Sequence, residues 1–301
     1  MRIFLTGASG WIGSAVVTEL LSADHEVLGL ARSEASAAAI AAAGATVRRG
    51  DIDDREVLRA AAHDSDGVVH LAFRHDIAFT GDFQTAVDSD RAAIDVLGEA
   101  LAGTGRPLAV ASGLAGLKPG ILATERDMPE LPGAGGRALN ERAVLALAER
   151  GVRSTSVRFA PTVHGDGDTG FIARIVAADR AAGSASYIGA GTNSWPAVHR
   201  SDAARLVRLA IEGAPAGSVL HAVGEQGVAI RDVADAIGRQ LGLPITSITA
   251  KQAQAHFGFL AGFLALDMPT SSVLTRELLS WQPSGPGLIA DLEQGHYFGA
   301  A

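Results

Sequence analysis

The sequence predicts an α/β fold in which a doubly wound parallel sheet carries a smaller C-terminal α/β lobe. Three observations predict it. The chain opens on a short apolar run, Arg2 to Thr6, that reads as a buried strand. Gly7, Gly10 and Gly13 follow at spacings of three, and Ser14–Leu21 then repeats apolar residues at helical spacing. Further on, strand-like and helix-like stretches alternate, as βαβ units require. The 301 residues, 48% of them hydrophobic, suffice for a core of residues 1–165 and a lobe of residues 166–301 that returns segments to the core.

Strand, glycine turn and helix in that order form the opening unit of a Rossmann dinucleotide-binding fold. Each glycine has a physical task. Gly7 turns the chain sharply out of the strand, Gly10 lets a pyrophosphate approach the backbone, and Gly13 lets the helix lie close on the sheet. Ser9, Trp11 and Ile12 complete the turn, and the N–H groups at the helix start face the phosphates.

Composition narrows the chemistry. There is no cysteine, so disulfides, thiolate catalysis and cysteine-ligated metal sites are excluded. The nine histidines include no pair at helical zinc spacing and no His-Glu-x-x-His, so no metal site is expected. A net charge of −8 argues against nucleic acid as a partner. No apolar stretch approaches a membrane span, and the first strand leaves no room for a signal peptide, so a cytoplasmic enzyme of bacterial type is the expectation.

Thr6-Gly7-Ala8-Ser9-Gly10-Trp11-Ile12-Gly13 resembles the TGxxGxxG fingerprint of the extended short-chain dehydrogenase/reductases. That family includes sugar-nucleotide epimerases, dehydratases and many ketone reductases. The next elements follow its order. Glu26–Ala31 reads as the second strand and ends in Arg32, where an NAD-binding protein keeps an acid for the ribose hydroxyls. A guanidinium suits a phosphate and cannot accept from a hydroxyl, which predicts NADP(H) over NAD(H). Ser33–Gly44 is an alanine-rich helix and Thr46–Arg49 the third strand. By resemblance, Asp51 and Ile52 bracket the adenine ring; Asp51 reads equally as the N-cap of the helix Arg55–Ala62.

Gly67–Leu71 is the fourth strand, with His70 a buried structural residue. Leu71, Ala72 and Phe73 resemble the family's His-Leu-Ala-Ala at the strand's carboxyl end, where ligands of such sheets sit. His75 beside Asp76 is then either an acid/base or substrate-orienting pair or a charged surface loop. The helix Ala86–Leu101 leads to the fifth strand, Pro107–Ala111, and to Ser112, which matches the family's catalytic Ser or Thr.

The helix Gly136–Arg150 departs from the family. Ordinary members carry Tyr-x-x-x-Lys there, a proton donor and the lysine that tunes it and holds the nicotinamide ribose. Counting back from Glu141 puts Gly133 at the tyrosine position and Arg137 at the lysine position. The two tyrosines, Tyr187 and Tyr297, have Gly191 and Ala301 as fourth neighbours, so the motif occurs nowhere. Arg137 can hold ribose hydroxyls but cannot act as an acid near neutral pH. The chain thus resembles atypical members that keep the cofactor fingerprint and lose the catalytic pair.

After the strand Ser154–Arg158, residues 159–168 resemble the family's Arg-Pro-x-x-Val-Tyr-Gly-x-Gly-Asp. The resemblance sets the backbone of Pro161, Thr162 and Val163 against the nicotinamide carboxamide. His164 stands where the family has tyrosine, as a proton donor or as a packing residue. Phe171–Ala181 is a helix and Tyr187–Gly191 a turn. Residues 195–202 resemble the family's Val-His-x-x-Asp and lead into the helix Ala203–Glu212; Phe171, Trp195, His199 and Arg200 are expected to face substrate, and Asp202 to be a cap or structural contact. Leu220–Val223, Ile230–Leu241 and Ile245–Thr249 read as strand, helix and strand, and His256–Leu266 as lobe packing. Trp281 and Pro283 sit in a segment close to the family's terminal Leu-Gly-Trp-x-Pro.

The expected function is an NADPH-dependent reductase of a small apolar carbonyl, enone or imine. Ser112 would bind the developing negative charge, and His75 or His164 would supply the proton. The alternatives are a redox-neutral epimerase, dehydratase or isomerase, and an NADP-binding redox sensor without catalysis. The resemblance also implies a homodimer through the helices Ala86–Leu101 and Gly136–Arg150.

Overall fold

A computed structural model describes residues 1–78, 81–129 and 135–299. The core alternates strand and helix: β1 (Arg2–Thr6), α1 (Trp11–Ser22), β2 (Glu26–Ala31), α2 (Glu34–Ala42), β3 (Thr46–Arg49), α3 (Arg55–His63), β4 (Gly67–His70), α4 (His75–Ala78), α5 (Phe83–Leu101), β5 (Pro107–Gly113), α6 (Gly135–Ala146) and β6 (Arg153–Phe159). The lobe and its returning segments follow: β7 (Thr162–His164), α7 (Phe171–Ala182), β8 (Ala185–Ile188), β9 (Ser194–His199), α8 (Arg200–Gly213), β10 (Ser218–Ala222), β11 (Glu225–Ala229), α9 (Ile230–Leu241), β12 (Ile245–Ile248), α10 (Ala250–Phe257), α11 (Leu260–Leu264), α12 (Val273–Leu279) and α13 (Leu288–Glu293).

Seven parallel strands form the main sheet in the order β10-β6-β5-β4-β1-β2-β3. The order reverses between β1 and β4, and ligands of such sheets bind outside the carboxyl ends at that reversal. Ile3, Phe4 and Leu5 are fully buried, as a central parallel strand demands. Separate apolar clusters cover the two faces, and a third fills the lobe around Ile175, Trp195, Ile237 and Phe257.

Local chemistry sets the boundaries. Asp54 caps α3 by accepting from Val57 N at 3.2 Å, so the cap is not Asp51. Asp82 caps α5 through Thr85 N, which starts that helix three residues before the expected Ala86. Thr249 and Gln252 close a capping box on α10. Four short strands are not expected from the sequence: β7, β9, β11 and β8, whose Tyr187 and Ile188, expected in a turn, pair with β12 before the chain turns at Gly189. The segment His256–Leu266 packs the lobe with Phe257, Leu260 and Leu264, as expected.

The C-terminal segment ties core to lobe. Trp281 is fully buried against the core and donates to the Asp202 carbonyl at 3.1 Å. The Asp202 carboxylate accepts from Ser284 N and Gly285 N, so Asp202 is the structural contact expected of it. Further on, Asp291 pairs with His164, and the Tyr297 hydroxyl accepts from Gly165 N and donates to Asp168, each at 3.1 Å. Among the described residues no helix is long and apolar enough to cross a membrane.

Asp179 of α7 is fully buried, with Oδ1 2.7 Å from His256 Nε2 and Oδ2 without a partner. Burial pushes its carboxyl up to about 8 and lowers the His256 imidazole, so both groups favour their neutral forms near pH 7. An unfolded Asp titrates near 3.8. Between those values the folded state holds the extra proton, and stability from this group falls with rising pH by roughly 1 kcal/mol per pH unit. His256, with its lowered pKa, opposes that trend only below about 6.5. Thermal melts of the wild type are therefore expected to lose stability from pH 6.5 to 8 relative to Asp179→Asn; parallel curves would contradict a protonated Asp179.

Candidate functional site

The site begins where β1 stops. Gly7 has φ of +72°, and a Cβ there would lie 2.8 Å from Ala72 N. A Cβ on Gly13 would lie 1.9 Å from the Gly7 carbonyl oxygen, so α1 starts in contact with the turn itself. Gly10, the N-cap of α1, has only the Gly7 oxygen near its missing Cβ. The helix has no side-chain cap and no acid in its first turn. Its opening N–H groups, including those of Trp11 and Ile12, thus carry the positive helix end toward an open cradle beside the exposed Ser9. These residues fit a dinucleotide diphosphate.

Trp11 begins α1 three residues before the expected Ser14. Its indole N–H donates to Val163 O at 2.7 Å, and the Arg200 guanidinium stacks 4.1 Å from its ring centre while donating to Trp11 O. The Val163 carbonyl, expected to meet a carboxamide, is therefore already engaged. Thr162 is buried with its hydroxyl on Pro196 O, while Pro161 stays half-buried.

At the carboxyl end of β2, three arginines converge. Arg32 is exposed and donates to Asp76 Oδ2 at 3.0 Å. Arg49 donates to Ser33 O and Glu34, each at 2.6 Å. Arg74 donates to Asp53 at 2.6 Å and to Asp76, with Asp51 at 3.9 Å. Hydrogen bonds from Arg74 and then Arg32 hold the Asp76 carboxyl down at about 2. Asp76, expected to face substrate, instead bridges the arginines on this rim. Asp51 is half-buried and Ile52 buried beside them.

The other half of the site lies at the ends of β4 and β5. Leu71, Ala72 and Phe73 are half-buried there, as is Ser112. Arg137 of α6 donates to the carbonyl of Ala111, next to Ser112, at 3.1 Å, and its guanidinium lies 4.3 Å from the Phe73 ring centre. His75 meets the same Phe73 ring edge-on at 5.2 Å. Surrounding protein first, then the Arg137 and Arg174 charges, push the His75 imidazole below its ordinary value against the pull of Asp76. Ser112, Phe73, His75 and Arg137 are thus brought together. Arg174, on the lobe helix α7, is a contributor that the sequence did not reveal. Gly133, at the family's tyrosine position, lies outside the described residues.

Behind this surface runs a buried chain of polar groups. The Thr6 hydroxyl accepts from Ala72 N at 3.2 Å and meets His70 Nδ1 at 2.8 Å. His70 Nε2 meets Asp90 at 3.3 Å, and Asp90 accepts from Asn140 Nδ2 at 2.7 Å. His70 is buried and structural, as expected.

Four expected site residues lie elsewhere. His164 is fully buried and paired through Nδ1 with Asp291 at 2.9 Å. Trp195 is buried in the lobe core with its N–H on Leu266 O, because its ring completes the apolar cluster beside Phe171. His199 caps α8 and bonds Ser201 at 2.7 Å. Phe171, half-buried, packs on Trp195 and Phe263.

Comparison with known proteins adds the following. A family model described as "NAD dependent epimerase/dehydratase family" matches residues 3–222. An uncharacterized protein of Schizosaccharomyces pombe, C2A9.02, is 44% identical, the match covering 99% of this chain and 100% of the yeast protein. An uncharacterized protein of Saccharomyces cerevisiae, YLL056C, is 42% identical over 98% and 99%. Among solved structures, the Thermus thermophilus UDP-glucose 4-epimerase complex with NAD aligns over 100% of both chains with a TM-score of 0.77 at 20% identity, which speaks to the fold.

The Gly13 contact yields a direct prediction. Gly13→Ala should force the turn and α1 apart, lower stability by about 1–3 kcal/mol and abolish tight dinucleotide binding. Calorimetric titration with NADPH and NADH checks this; wild-type affinity in the variant would mean the turn does not hold the diphosphate.

Proposed function

The chain belongs to the NAD dependent epimerase/dehydratase family, and on that premise we propose that it is an enzyme performing hydride chemistry on a small molecule between Ser112, His75 and Arg137. The observation that carries this reading is the uncapped start of α1 over the Gly10 cradle. A nicotinamide dinucleotide held there supplies a reversible hydride acceptor and donor. Gly7 and Gly13 close the turn tightly, Gly10 gives the diphosphate room, and the N–H groups of α1 bind it. Arg32 and Arg74, with Arg49 beside them, suit a ribose phosphate, which supports NADP(H) over NAD(H).

The reaction we favour is redox-neutral: an epimerisation, dehydration or isomerisation in which an alcohol of the substrate is oxidised and the hydride then returned. Family membership supports this class. It requires a base. His75, held below its ordinary pKa and so neutral near pH 7, can accept the alcohol proton. The Ser112 hydroxyl orients the reacting oxygen. A net reductase of a small carbonyl, enone or imine is the second reading. The absence of Tyr-x-x-x-Lys favours it, since an activated C=N or C=C bond needs less help from an acid than a ketone does.

Two measurements test this. Arg32→Asp is expected to weaken NADPH binding about tenfold or more, the value of one charge-assisted contact, and to leave NADH binding nearly unchanged; equal losses would sink the phosphate assignment. Steady nicotinamide oxidation on a panel of ketones, enones and imines would establish the reductase. Product formation with no net change in nicotinamide absorbance would establish the redox-neutral class.

A further inference from the structure

The charges around Arg137 do not balance. Its guanidinium is half-buried, makes one hydrogen bond, to the neutral carbonyl of Ala111, and lies on the face of Phe73. Among the described residues it forms no ion pair. Two carboxylates stand behind it, and each is committed elsewhere. Asp90 is held by His70 and Asn140. Glu141 is held by a two-pronged contact with Arg158, 2.8 Å on each side, and by the Ser156 hydroxyl. Asp76, the acid nearest His75, is bound to Arg32 and Arg74. The remaining charged group acting on His75 is Arg174, from α7 of the lobe, and it is another cation.

A guanidinium withdrawn from water without a counter-ion is costly, and it gains most from an anion presented in the plane of its fork. We propose that Arg137 takes a substrate carboxylate beside the Ser112 hydroxyl, so that the natural substrate is an organic acid rather than a neutral ketone or sugar. This rests on the reading of the Ser112 cleft as the reaction site. The family's lysine would present a single ammonium at this position. Arg137 presents a planar fork with unused N–H groups, which matches two carboxylate oxygens. The ring of Phe73 supports the flat face of the guanidinium and fixes the fork's direction.

The test uses the whole protein, with and without NADPH, and reads the rate at which phenylglyoxal labels the peptide containing Arg137. Benzoate, at a concentration that reports millimolar affinity, is compared with its neutral isostere benzamide. Benzoate is expected to slow labelling about fivefold or more, and benzamide to have no effect, in both forms of the protein. Full protection by NADPH alone, with nothing added by benzoate, would assign the fork to the ribose hydroxyls and overturn the proposal. Equal protection by both probes, or by neither, would also overturn it. Arg137→Met supplies an independent reading. Its melting temperature should equal or exceed that of the wild type, because the variant removes a charge that forms no ion pair among the described residues. A fall of several degrees would mean that Arg137 is a structural contact, against the proposal. If NADPH fails to bind but benzoate still protects, the cofactor reading fails and the anion site stands.

Discussion

The contact on which this structure depends is the one between the start of α1 and the Gly7 carbonyl. It exists because Gly13 lacks a Cβ, which would sit 1.9 Å from that oxygen. The closeness brings β1, its turn and α1 into one rigid unit with the end of β4, where Gly7 leaves equally little room against Ala72. From that unit the Thr6 hydroxyl reaches Ala72 and His70, His70 reaches Asp90, and Asp90 reaches Asn140. A single run of buried polar contacts therefore links the glycine turn to α6, the helix that carries Arg137. Such a network stays ordered only while every member is satisfied, and here each has a partner.

Charge is distributed in two stations along the cleft. At the end of β2 Arg32 and Arg49 are exposed, Arg74 is half-buried, and all three are already paired, with Asp76, Asp53 and Glu34, so an incoming phosphate exchanges partners at a largely wet rim. Beside Ser112, the Arg137 cation is half-buried and has no such partner among the described residues. Solvent screens the first station and much less of the second, which makes the second the more selective.

Much of the fold was legible because its signals are local. The glycine turn, the apolar strands and the alanine-rich α2 are written in adjacent residues, and Ile230–Leu241 was bounded correctly by its own periodicity. Short strands were not legible: β7 has three residues and β8 four, too few to establish a period, and their pairing partners lie far along the chain. The same limit governed the site. Ser112 lies at the end of β5 and His75 follows the end of β4, so both could be placed by counting, and Arg137 could be counted back from Glu141 on its helix. His164 could not, because its burial depends on Asp291, 127 residues away. Nor could the lack of an ion pair for Arg137 among the described residues, which follows from what Asp90 and Glu141 bind elsewhere.

The tie made by residues 281–298 has a consequence for how the molecule is assembled. The glycine turn and six of the seven strands of the main sheet, β1 to β6, are encoded in residues 2–159 and can condense as they emerge from the ribosome. The loop after β7 cannot settle then. His164 must wait for Asp291, Gly165 and Asp168 for Tyr297, and the Asp202 carboxylate for the backbone of Ser284 and Gly285. During synthesis the nascent protein therefore passes through a stage with a formed dinucleotide half and an unlatched lobe. In that stage the polar side chains of His164, Asp168 and Asp202 remain in water, and their desolvation is deferred until the last segment closes over them.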